Sequence, residues 1–286
     1  MSSAARLRAL LGGPGLLTVP GCSDALGARL IEQAGFDAAY MTGFGASATL
    51  LGAPDVGLLT GSEMVDNARR VAAATALPLI ADGDTGYGSA VNVMRTVRDY
   101  ERAGVAAIQL EDQVSPKRCG HLADKQVIPA DEMTAKLRAA VEARDEMLIV
   151  ARTDARAPEG LAAAIERAHA YVAAGADVLF VEALESVDEV AEVGAERFGV
   201  PLVYNWVEGG RSPALGAETV AALGYAVLLA PITLLLAATD AMQAALRRLR
   251  EHGVPAIAEP GVFGRFTDTI GLPAVLDLQR RFGTER

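Results

Sequence analysis

Eight short apolar runs, separated by longer amphipathic segments, recur along the whole chain. They cover residues 16–21, 38–43, 78–84, 106–112, 148–154, 177–183, 201–206 and 225–231. Each run is almost continuously hydrophobic, which is typical of parallel strands that are covered on both faces. The intervening segments, such as Ala90–Ala103 and Gly160–Ala174, have helical periodicity. Eight strand–helix units in 286 residues predict an α/β protein with a closed (β/α)8 TIM-type barrel.

The same pattern predicts one domain over residues 1–286. Residues after about 250 lie beyond the eighth unit, and we expect them to form a C-terminal helical extension that serves oligomer contacts. Glycines that follow several helical segments are expected to supply left-handed caps: Gly35, Gly104, Gly175 and Gly224. A doubly wound sheet is the alternative, but no G-x-G-x-x-G motif follows the first strand.

Composition narrows the classes of partner. The net charge of −10 disfavours nucleic acid, because no basic surface is available to neutralise phosphates. The apolar stretch Ala226–Ala238 is too short for a membrane span and is split by Pro231. Only two cysteines, Cys22 and Cys119, are present, which disfavours a disulfide framework and favours the reducing cytoplasm.

Polar side chains gather at the carboxyl ends of the predicted strands, where barrel active sites lie. They are Thr42, Asp82, Asp84, Glu111, Asp112, Arg152, Asp154, Glu182 and Asn205. So many converging carboxylates would repel one another without a cation among them. Of the three histidines, only His121 lies outside a helical segment, which is too few for a histidine-rich zinc or iron site. Carboxylates with few other ligands favour Mg²⁺, with Mn²⁺ as the alternative.

Two other enzyme classes are disfavoured. The three lysines, Lys117, Lys125 and Lys136, lie outside the strand runs, whereas a Schiff-base aldolase of the usual barrel type carries its lysine on a strand. No G-x-S-x-G motif is present to support a serine hydrolase.

The loop after the fourth strand concentrates reactive groups. It places Cys119 among Lys117, Arg118 and His121. Nearby cations favour the thiolate form, so Cys119 is a candidate general acid or base. A solvated basic loop with an incidental cysteine is the alternative interpretation of these residues.

The segment Lys117-Arg118-Cys119-Gly120-His121 resembles the signature of the isocitrate lyase/phosphoenolpyruvate mutase superfamily. Further blocks are similar to this superfamily in the same order: residues 40–43, 52–55, 82–88, 111–113, 151–155 and 205–210. The blocks at 41–43, 116–122 and 207–210 look most like the branch that contains 2,3-dimethylmalate lyase and carboxyphosphonoenolpyruvate mutase, alongside methylisocitrate lyase.

The resemblance implies roles for individual residues. Asp82 would bind Mg²⁺ directly, and Asp55, Asp84 and Glu111 would hold its water ligands. Thr42, Gly43 and Arg152 would bind the carboxylate of a 2-oxo acid, while Gly120, His121, Glu182 and Asn205 would contact the rest of the substrate. Cys119 would protonate the carbanion that leaves after carbon–carbon cleavage, and His121, Arg152 and Glu111 would join it as catalytic residues. The resemblance also implies a homotetramer, a dimer of dimers, with a C-terminal helix swapped between subunits.

The expected activity is cleavage of a substituted malate, a small 2-hydroxy dicarboxylic acid, to pyruvate or another 2-oxo acid and a monocarboxylate. Val207 stands where tricarboxylate lyases of the superfamily carry a hydroxyl residue, and Leu234, Leu235 and Leu236 stand where methylisocitrate lyases carry an arginine. A third carboxylate would therefore lack a partner, which disfavours isocitrate and methylisocitrate. A phosphonomutase and an oxaloacetate hydrolase remain as alternatives. A non-catalytic scaffold is disfavoured because the acids, Arg152 and Cys119 are all present.

Overall fold

A computed structural model describes residues 1–120, 124–254 and 260–283. Eight strands alternate with helices along the chain. The strands are β1 (Leu17–Cys22), β2 (Ala39–Met41), β3 (Leu79–Asp82), β4 (Ala107–Glu111), β5 (Leu148–Thr153), β6 (Val178–Val181), β7 (Leu202–Asn205) and β8 (Val227–Ala230). Every predicted strand is present, with ends shifted by a few residues. The second has half its expected length, because Thr42 caps the following helix instead of extending the strand.

Thirteen helices are present in the described part of the chain. They are α1 (Ser3–Leu11), α2 (Ala25–Gln33), α3 (Gly43–Leu51), α4 (Gly61–Ala73), α5 (Ala90–Arg102), α6 (Ala130–Ala143), α7 (Arg156–Glu159), α8 (Leu161–Ala173), α9 (Val187–Ala195), α10 (Ala217–Ala222), α11 (Thr233–His252), α12 (Val262–Thr269) and α13 (Leu272–Arg281). The four glycines expected to cap helices all have positive φ, between 84° and 104°.

The strands form a closed parallel barrel in sequence order, and β1 pairs with β8 to complete it. The predicted (β/α)8 fold is therefore confirmed. At the closing seam the backbones approach so closely that a Cβ on Gly21 would lie 2.0 Å from the carbonyl oxygen of Pro231. Only glycine fits there without displacing the backbone of the other strand.

The barrel interior is a packed core rather than a pore. Side chains such as Val19, Ile80, Val150 and Phe180 fill it, and Leu7 of α1 packs against the same cluster at the amino-terminal end of the strands. The helix α1 was not predicted from the sequence. A larger cluster lies between the strands and the surrounding helices. The interior of the barrel and the amino-terminal end of its strands are filled. The open end of the barrel is therefore the one at the carboxyl ends of the strands.

The chain divides into two compact units, Met1–Leu234 and Leu235–Arg286. The first contains all eight strands. The second consists of the rest of α11 followed by α12 and α13, and many of its apolar side chains are exposed, including Leu246, Phe263 and Phe282. None of the helices in the described ranges combines the length and apolarity needed to cross a bilayer.

Candidate active site

A cavity of about 210 Å³ opens at the carboxyl ends of the strands. Among its lining residues are several that the sequence predicted to be functional: Thr42, Asp55, Asp82, Cys119, Gly120, Arg152, Glu182 and Asn205. These residues come from six strands, β2 to β7, or from the segments that follow them, so strand order alone brings them together. Their roles remain predictions, but their convergence on one cavity is a property of the fold.

Asp82 is the last residue of β3, and both of its carboxylate oxygens accept backbone hydrogen bonds. The amide of Asp84 donates to Oδ1 at 3.0 Å, and the amide of Gly43, at the start of α3, donates to Oδ2 at 3.3 Å. A Cβ on Gly43 would lie 2.5 Å from Oδ2, so this close approach requires glycine. Gly43, which was predicted to bind substrate, thus directs its N–H at Asp82 instead of lining the cavity.

Lys117 lies between two of the predicted metal-site acids. Its ammonium is 2.6 Å from Oδ2 of Asp55 and 2.8 Å from Oδ1 of Asp84, and its side chain is only 5% exposed. The sequence placed Lys117 beside the Cys119 thiol as an electrostatic neighbour. The structure instead gives it carboxylate partners, so Lys117 is a functional candidate whose place in the cavity the sequence missed.

Arg152 of β5 is surrounded by carboxylates. Its guanidinium makes two hydrogen bonds to Asp154, of 2.9 and 3.0 Å, and lies 3.4 Å from Glu111 and 3.3 Å from Glu182. Parallel register explains part of this, since Glu111 pairs with Arg152 across β4 and β5. Glu111 does not line the cavity. The contact with Arg152 supports a role for Glu111 in orienting that guanidinium from outside the cavity.

Burial and mutual repulsion dominate the electrostatics of the site. Burial raises the pKa of Asp82, and the neighbouring Asp84 raises it further. Burial also raises the pKa of Glu111 well above its usual range, although Arg152 opposes the change. Burial alone would lower the pKa of Lys117, but the surrounding carboxylates, led by Asp84, raise it well above its usual range. Negative charge is therefore in excess, and the site favours cations.

The residues at the mouth fit a hard divalent cation. Four carboxylates of the first unit, Asp55, Asp82, Asp84 and Glu111, supply only oxygen donors, and Oε1 of Glu111 is buried without a hydrogen-bond partner. Across residues 1–120, 124–254 and 260–283, no three acidic, histidine or cysteine side chains converge tightly enough to form a complete metal site. Mg²⁺ suits such a place, because it takes one or two protein carboxylates and keeps several waters.

Cys119 lines the same cavity, and its amide donates to the carbonyl of Asp55 at 3.1 Å. The following residue is closely packed, since a Cβ on Gly120 would lie 2.4 Å from a guanidinium nitrogen of Arg152 and 2.7 Å from Cδ of Glu182. His121, predicted to bind substrate, lies outside the described residues. The other cysteine, Cys22, is buried in β1, and burial raises the pKa of its thiol to about 12.

The remaining wall of the cavity is largely apolar. It is formed by Phe44, Phe180, Val207, Leu229, Pro231 and Ile232. Tyr40 also lines the cavity, from β2, and its hydroxyl lies 3.2 Å from Oε1 of Gln109 inside the barrel. Sequence reasoning did not single out Tyr40 or Phe44. The spacing of Tyr40 from Thr42 is the signal that could have found Tyr40, because residues two apart in extended backbone face the same side. Phe44 lies in α3, where strand spacing gives no such signal.

A (β/α)8 barrel with an acidic mouth and an arginine beside it is typical of an enzyme that acts on a small molecule. The phosphoenolpyruvate phosphomutase family matches residues 7–250. The chain is 44% identical to 2,3-dimethylmalate lyase of Eubacterium barkeri, over 100% of both chains. It is 43% identical to 2-methylisocitrate lyase of Bacillus subtilis (strain 168), over 87% of this chain and 82% of that protein.

A solved structure from the same superfamily has the same fold. The structure of oxaloacetate acetylhydrolase in complex with the inhibitor 3,3-difluorooxalacetate has a TM-score of 0.94 and 39% identity, over 99% of this chain and 97% of that one. The chain therefore belongs to the isocitrate lyase/phosphoenolpyruvate mutase superfamily, as its motifs predicted. It is an enzyme of that superfamily, and its relatives support carbon–carbon lyase chemistry.

Proposed function

We propose that this chain is a Mg²⁺-dependent lyase that cleaves a substituted malate into pyruvate, or another 2-oxo acid, and a monocarboxylate. One observation carries the proposal: Cys119 lines the same small cavity as Arg152, Asp82 and an apolar wall. That cavity combines a cation for a carboxylate, an acidic place for a metal, and a thiol that can donate a proton. The similarity to 2,3-dimethylmalate lyase over the whole chain supports this choice of substrate class.

Arg152 and Thr42 would bind the carboxylate next to the hydroxyl-bearing carbon. Glu182 and Asn205, which are hydrogen-bonded to each other at 3.2 Å, would contact the other half of the substrate. The apolar side chains of Phe44, Phe180 and Val207 would pack against alkyl substituents. A mixed wall of this kind distinguishes an alkylated malate from a substrate with polar groups at every carbon.

Cleavage would begin with loss of the proton of the C2 hydroxyl to a carboxylate at the mouth. As C2 becomes a ketone, the C2–C3 bond breaks and its electron pair stays on C3, next to the second carboxylate. Cys119 would then donate its proton to C3, which releases the monocarboxylate. General acid catalysis of this kind requires the thiol to lie beside the reacting carbon, and the place of Cys119 in the cavity supports it.

Mg²⁺ is the metal we propose, and Mn²⁺ could replace it. Asp82 would hold it directly, and Asp55, Asp84 and Glu111 would hold its waters. When bound, it would supply Lewis-acid stabilisation of negative charge on the C2 oxygen. Its charge would also relieve the repulsion that raises the pKa of Asp82.

Two alternative activities share these groups. The likeness to oxaloacetate acetylhydrolase favours hydrolysis of oxaloacetate as the second candidate. A phosphonomutase would use the same acids and Arg152 on an enolpyruvate substrate. The lyase and the hydrolase both release a carbanion that needs a proton, whereas the phosphonomutase does not. The presence of Cys119 therefore does not by itself separate the three activities, and the similarity to 2,3-dimethylmalate lyase over the whole chain favours the lyase.

The experiment is a substrate panel with Mg²⁺: 2,3-dimethylmalate, unsubstituted malate, 2-methylisocitrate, isocitrate, oxaloacetate and carboxyphosphonoenolpyruvate. Release of a 2-oxo acid from the alkylated malate, abolished by chelation and restored by Mg²⁺, is expected. Both tricarboxylates should be poor substrates, because Val207 offers no partner to a third carboxylate. Turnover of oxaloacetate or of the phosphonate alone would replace the lyase assignment, and activity after full chelation would contradict the metal.

We also infer a cytoplasmic homotetramer, a dimer of dimers, in which residues after about 250 contribute to subunit contacts. The exposed apolar side chains of the second unit support this assembly.

A further inference from the structure

A buried lysine outside the cavity contacts the backbone next to Cys119. The ammonium of Lys125 donates to the carbonyl oxygen of Gly120 at 2.5 Å and to Oδ1 of Asp154 at 2.8 Å. The Lys125 side chain is 1% exposed, and that of Asp154 is fully buried. A charged group so deeply buried is costly unless its partners are fixed, so these contacts define a single position for the ammonium.

Gly120 is constrained from two sides. Lys125 holds its carbonyl, and its Cα packs against Arg152 and Glu182 so closely that no side chain would fit. The amide of the preceding residue, Cys119, is bound to the carbonyl of Asp55. Hydrogen bonds therefore hold the backbone on both sides of the peptide bond between Cys119 and Gly120. One joins the Cys119 amide to Asp55, and the other joins the Gly120 carbonyl to Lys125.

Asp154 joins this loop contact to the substrate-binding arginine. Its carboxylate accepts one hydrogen bond from Lys125 and two from Arg152. The two cations outweigh the effect of burial and lower the pKa of Asp154. One ionised carboxylate therefore orients both the loop that carries Cys119 and the guanidinium proposed to bind substrate.

Asp154 is itself held in place by a hydrogen bond to a second buried carboxylate, Asp112. Its amide donates to Oδ1 of Asp112 at 2.8 Å, and Asp112 also accepts hydrogen bonds from the hydroxyls of Thr153 and Tyr171, both at 2.7 Å. Asp112 is fully buried at the end of β4. The contact from Lys125 to Gly120 thus rests on two strand ends and helix α8.

We propose that Lys125 is a positioning residue that fixes the Cys119–Gly120 backbone over the cavity by tying the Gly120 carbonyl to Asp154. The catalytic part of this inference rests on the proposed role of Cys119 as proton donor. The structural part does not, because it concerns only where the backbone is held. Loss of the ammonium leaves Asp154 with both hydrogen bonds to Arg152, so substrate binding should be largely retained while proton delivery suffers.

The test compares Lys125→Met with the full-length wild-type protein by amide hydrogen exchange of the peptide that contains Cys119. We expect exchange there to become roughly tenfold faster, since a hydrogen bond to a charged group shifts a local equilibrium by about that factor. The kcat on the substituted malate should fall roughly tenfold or more, with KM changed by no more than about twofold. The matched control is Lys136→Met, which removes another buried ammonium that donates to a backbone carbonyl, that of Thr85.

Unchanged exchange at Cys119 in Lys125→Met would overturn the proposal, whatever the activity. Faster exchange spread over the whole barrel would also overturn it, because it would show general stabilisation rather than local positioning. If Lys125→Met does not fold, Lys125→Gln retains a donor for Gly120 and should give intermediate exchange at Cys119 alone. A wild-type protein inactive on substituted malates would refute the proposed function, and the exchange result would still decide the role of Lys125.

Discussion

At the scale of single residues, burial disfavours the ionised form of two acids at the barrel mouth, Asp82 and Glu111. Asp82 has both oxygens bound to backbone amides and still has a raised pKa, because burial and the charge of Asp84 disfavour its ionised form. An acid whose pKa is higher in the folded chain destabilises the fold when ionised, and this cost is fully present above the folded-state pKa. The cost to stability supports the proposed metal-binding role of Asp82.

Replacement of Asp82 by Asn should separate those two properties. We expect Asp82→Asn to lose Mg²⁺-dependent turnover, while the unfolding temperature of the metal-free protein stays within a few degrees of wild type, about 1 kcal/mol or less. Relief of repulsion should offset the weakened bond from Gly43. Activity assays and calorimetry without metal provide the measurements.

The control for this change is Asp66→Asn, which alters an exposed acid of α4 that pairs with Arg69. It should change neither quantity. A large fall in the unfolding temperature of Asp82→Asn would show that Asp82 is mainly structural.

Replacement of Cys119 by Ser tests the proton donor. Since general acid catalysis typically contributes about 10²–10⁴-fold, Cys119→Ser should lose about that factor in kcat, with little change in KM. Steady-state kinetics on the substituted malate measures both. Iodoacetamide should label Cys119 and leave Cys22 intact, because Cys22 is 3% exposed and its thiol has a pKa of about 12. Near-wild-type cleavage by Cys119→Ser would remove the thiol from the mechanism.

At the scale of secondary-structure elements, the end of β4 is fixed by helix α8. Asp112 follows β4 and has no exposed surface, and Tyr171 and Arg167 of α8 bind its Oδ2, at 2.7 and 3.4 Å. Burial and the charge of Asp154 raise the pKa of Asp112, and the hydroxyls of Tyr171 and Thr153 oppose the change only in part. The helix thereby holds the strand end that supports Asp154.

The hydrogen bond from the Tyr171 hydroxyl should therefore contribute more to the free energy of unfolding than that of a similarly buried tyrosine with a neutral partner. We expect Tyr171→Phe to lower the free energy of unfolding by about 1.5–3 kcal/mol, the range for hydrogen bonds to charged groups. Tyr225→Phe is the matched control, because its hydroxyl donates to the carbonyl of Val190 at 3.0 Å and should cost about 0.5–1.5 kcal/mol. Urea denaturation at neutral pH measures both, and equal costs would refute the special role of Asp112.

At the scale of the whole molecule, the second unit, Leu235–Arg286, leaves large apolar side chains on its surface. Phe263 is 80% exposed and Phe282 is 69% exposed, on or next to helices α12 and α13. Soluble monomers rarely expose apolar side chains in such density, which is typical of surfaces that another chain covers. This supports the proposed tetramer.

A charge in this surface should weaken the assembly. We expect wild-type protein to have the mass of a tetramer by light scattering, and Phe263→Asp to shift mass toward smaller species because a buried unpaired carboxylate is costly. Val91→Asp serves as the control: Val91 is 76% exposed on α5 of the first unit and should leave the mass unchanged. A monomeric wild type, or an unaffected Phe263→Asp, would contradict the assembly.

The sequence alone determined the barrel and most of the polar side chains at its mouth. Buried parallel strands produce apolar runs that can be read directly, and a polar residue at the end of each run must then lie on one rim. This placed Asp82, Arg152, Glu182 and Asn205 around one cavity, as found. The helix α1 was missed because nine residues with a weak apolar face carry little periodic signal.

The tertiary structure alone decided which charges meet. Spacing along the chain assigned Lys117 to the Cys119 thiol, yet its ammonium lies between Asp55 and Asp84, one of them 62 residues away. Lys125 was noted only as a lysine outside the strands, although it joins Gly120 to Asp154. A long side chain can reach several partners, and which one it reaches depends on distances of a few ångströms between segments distant in sequence. Local patterns therefore predict the strand ends, whereas pairing among buried charges depends on how the closed barrel brings those ends together.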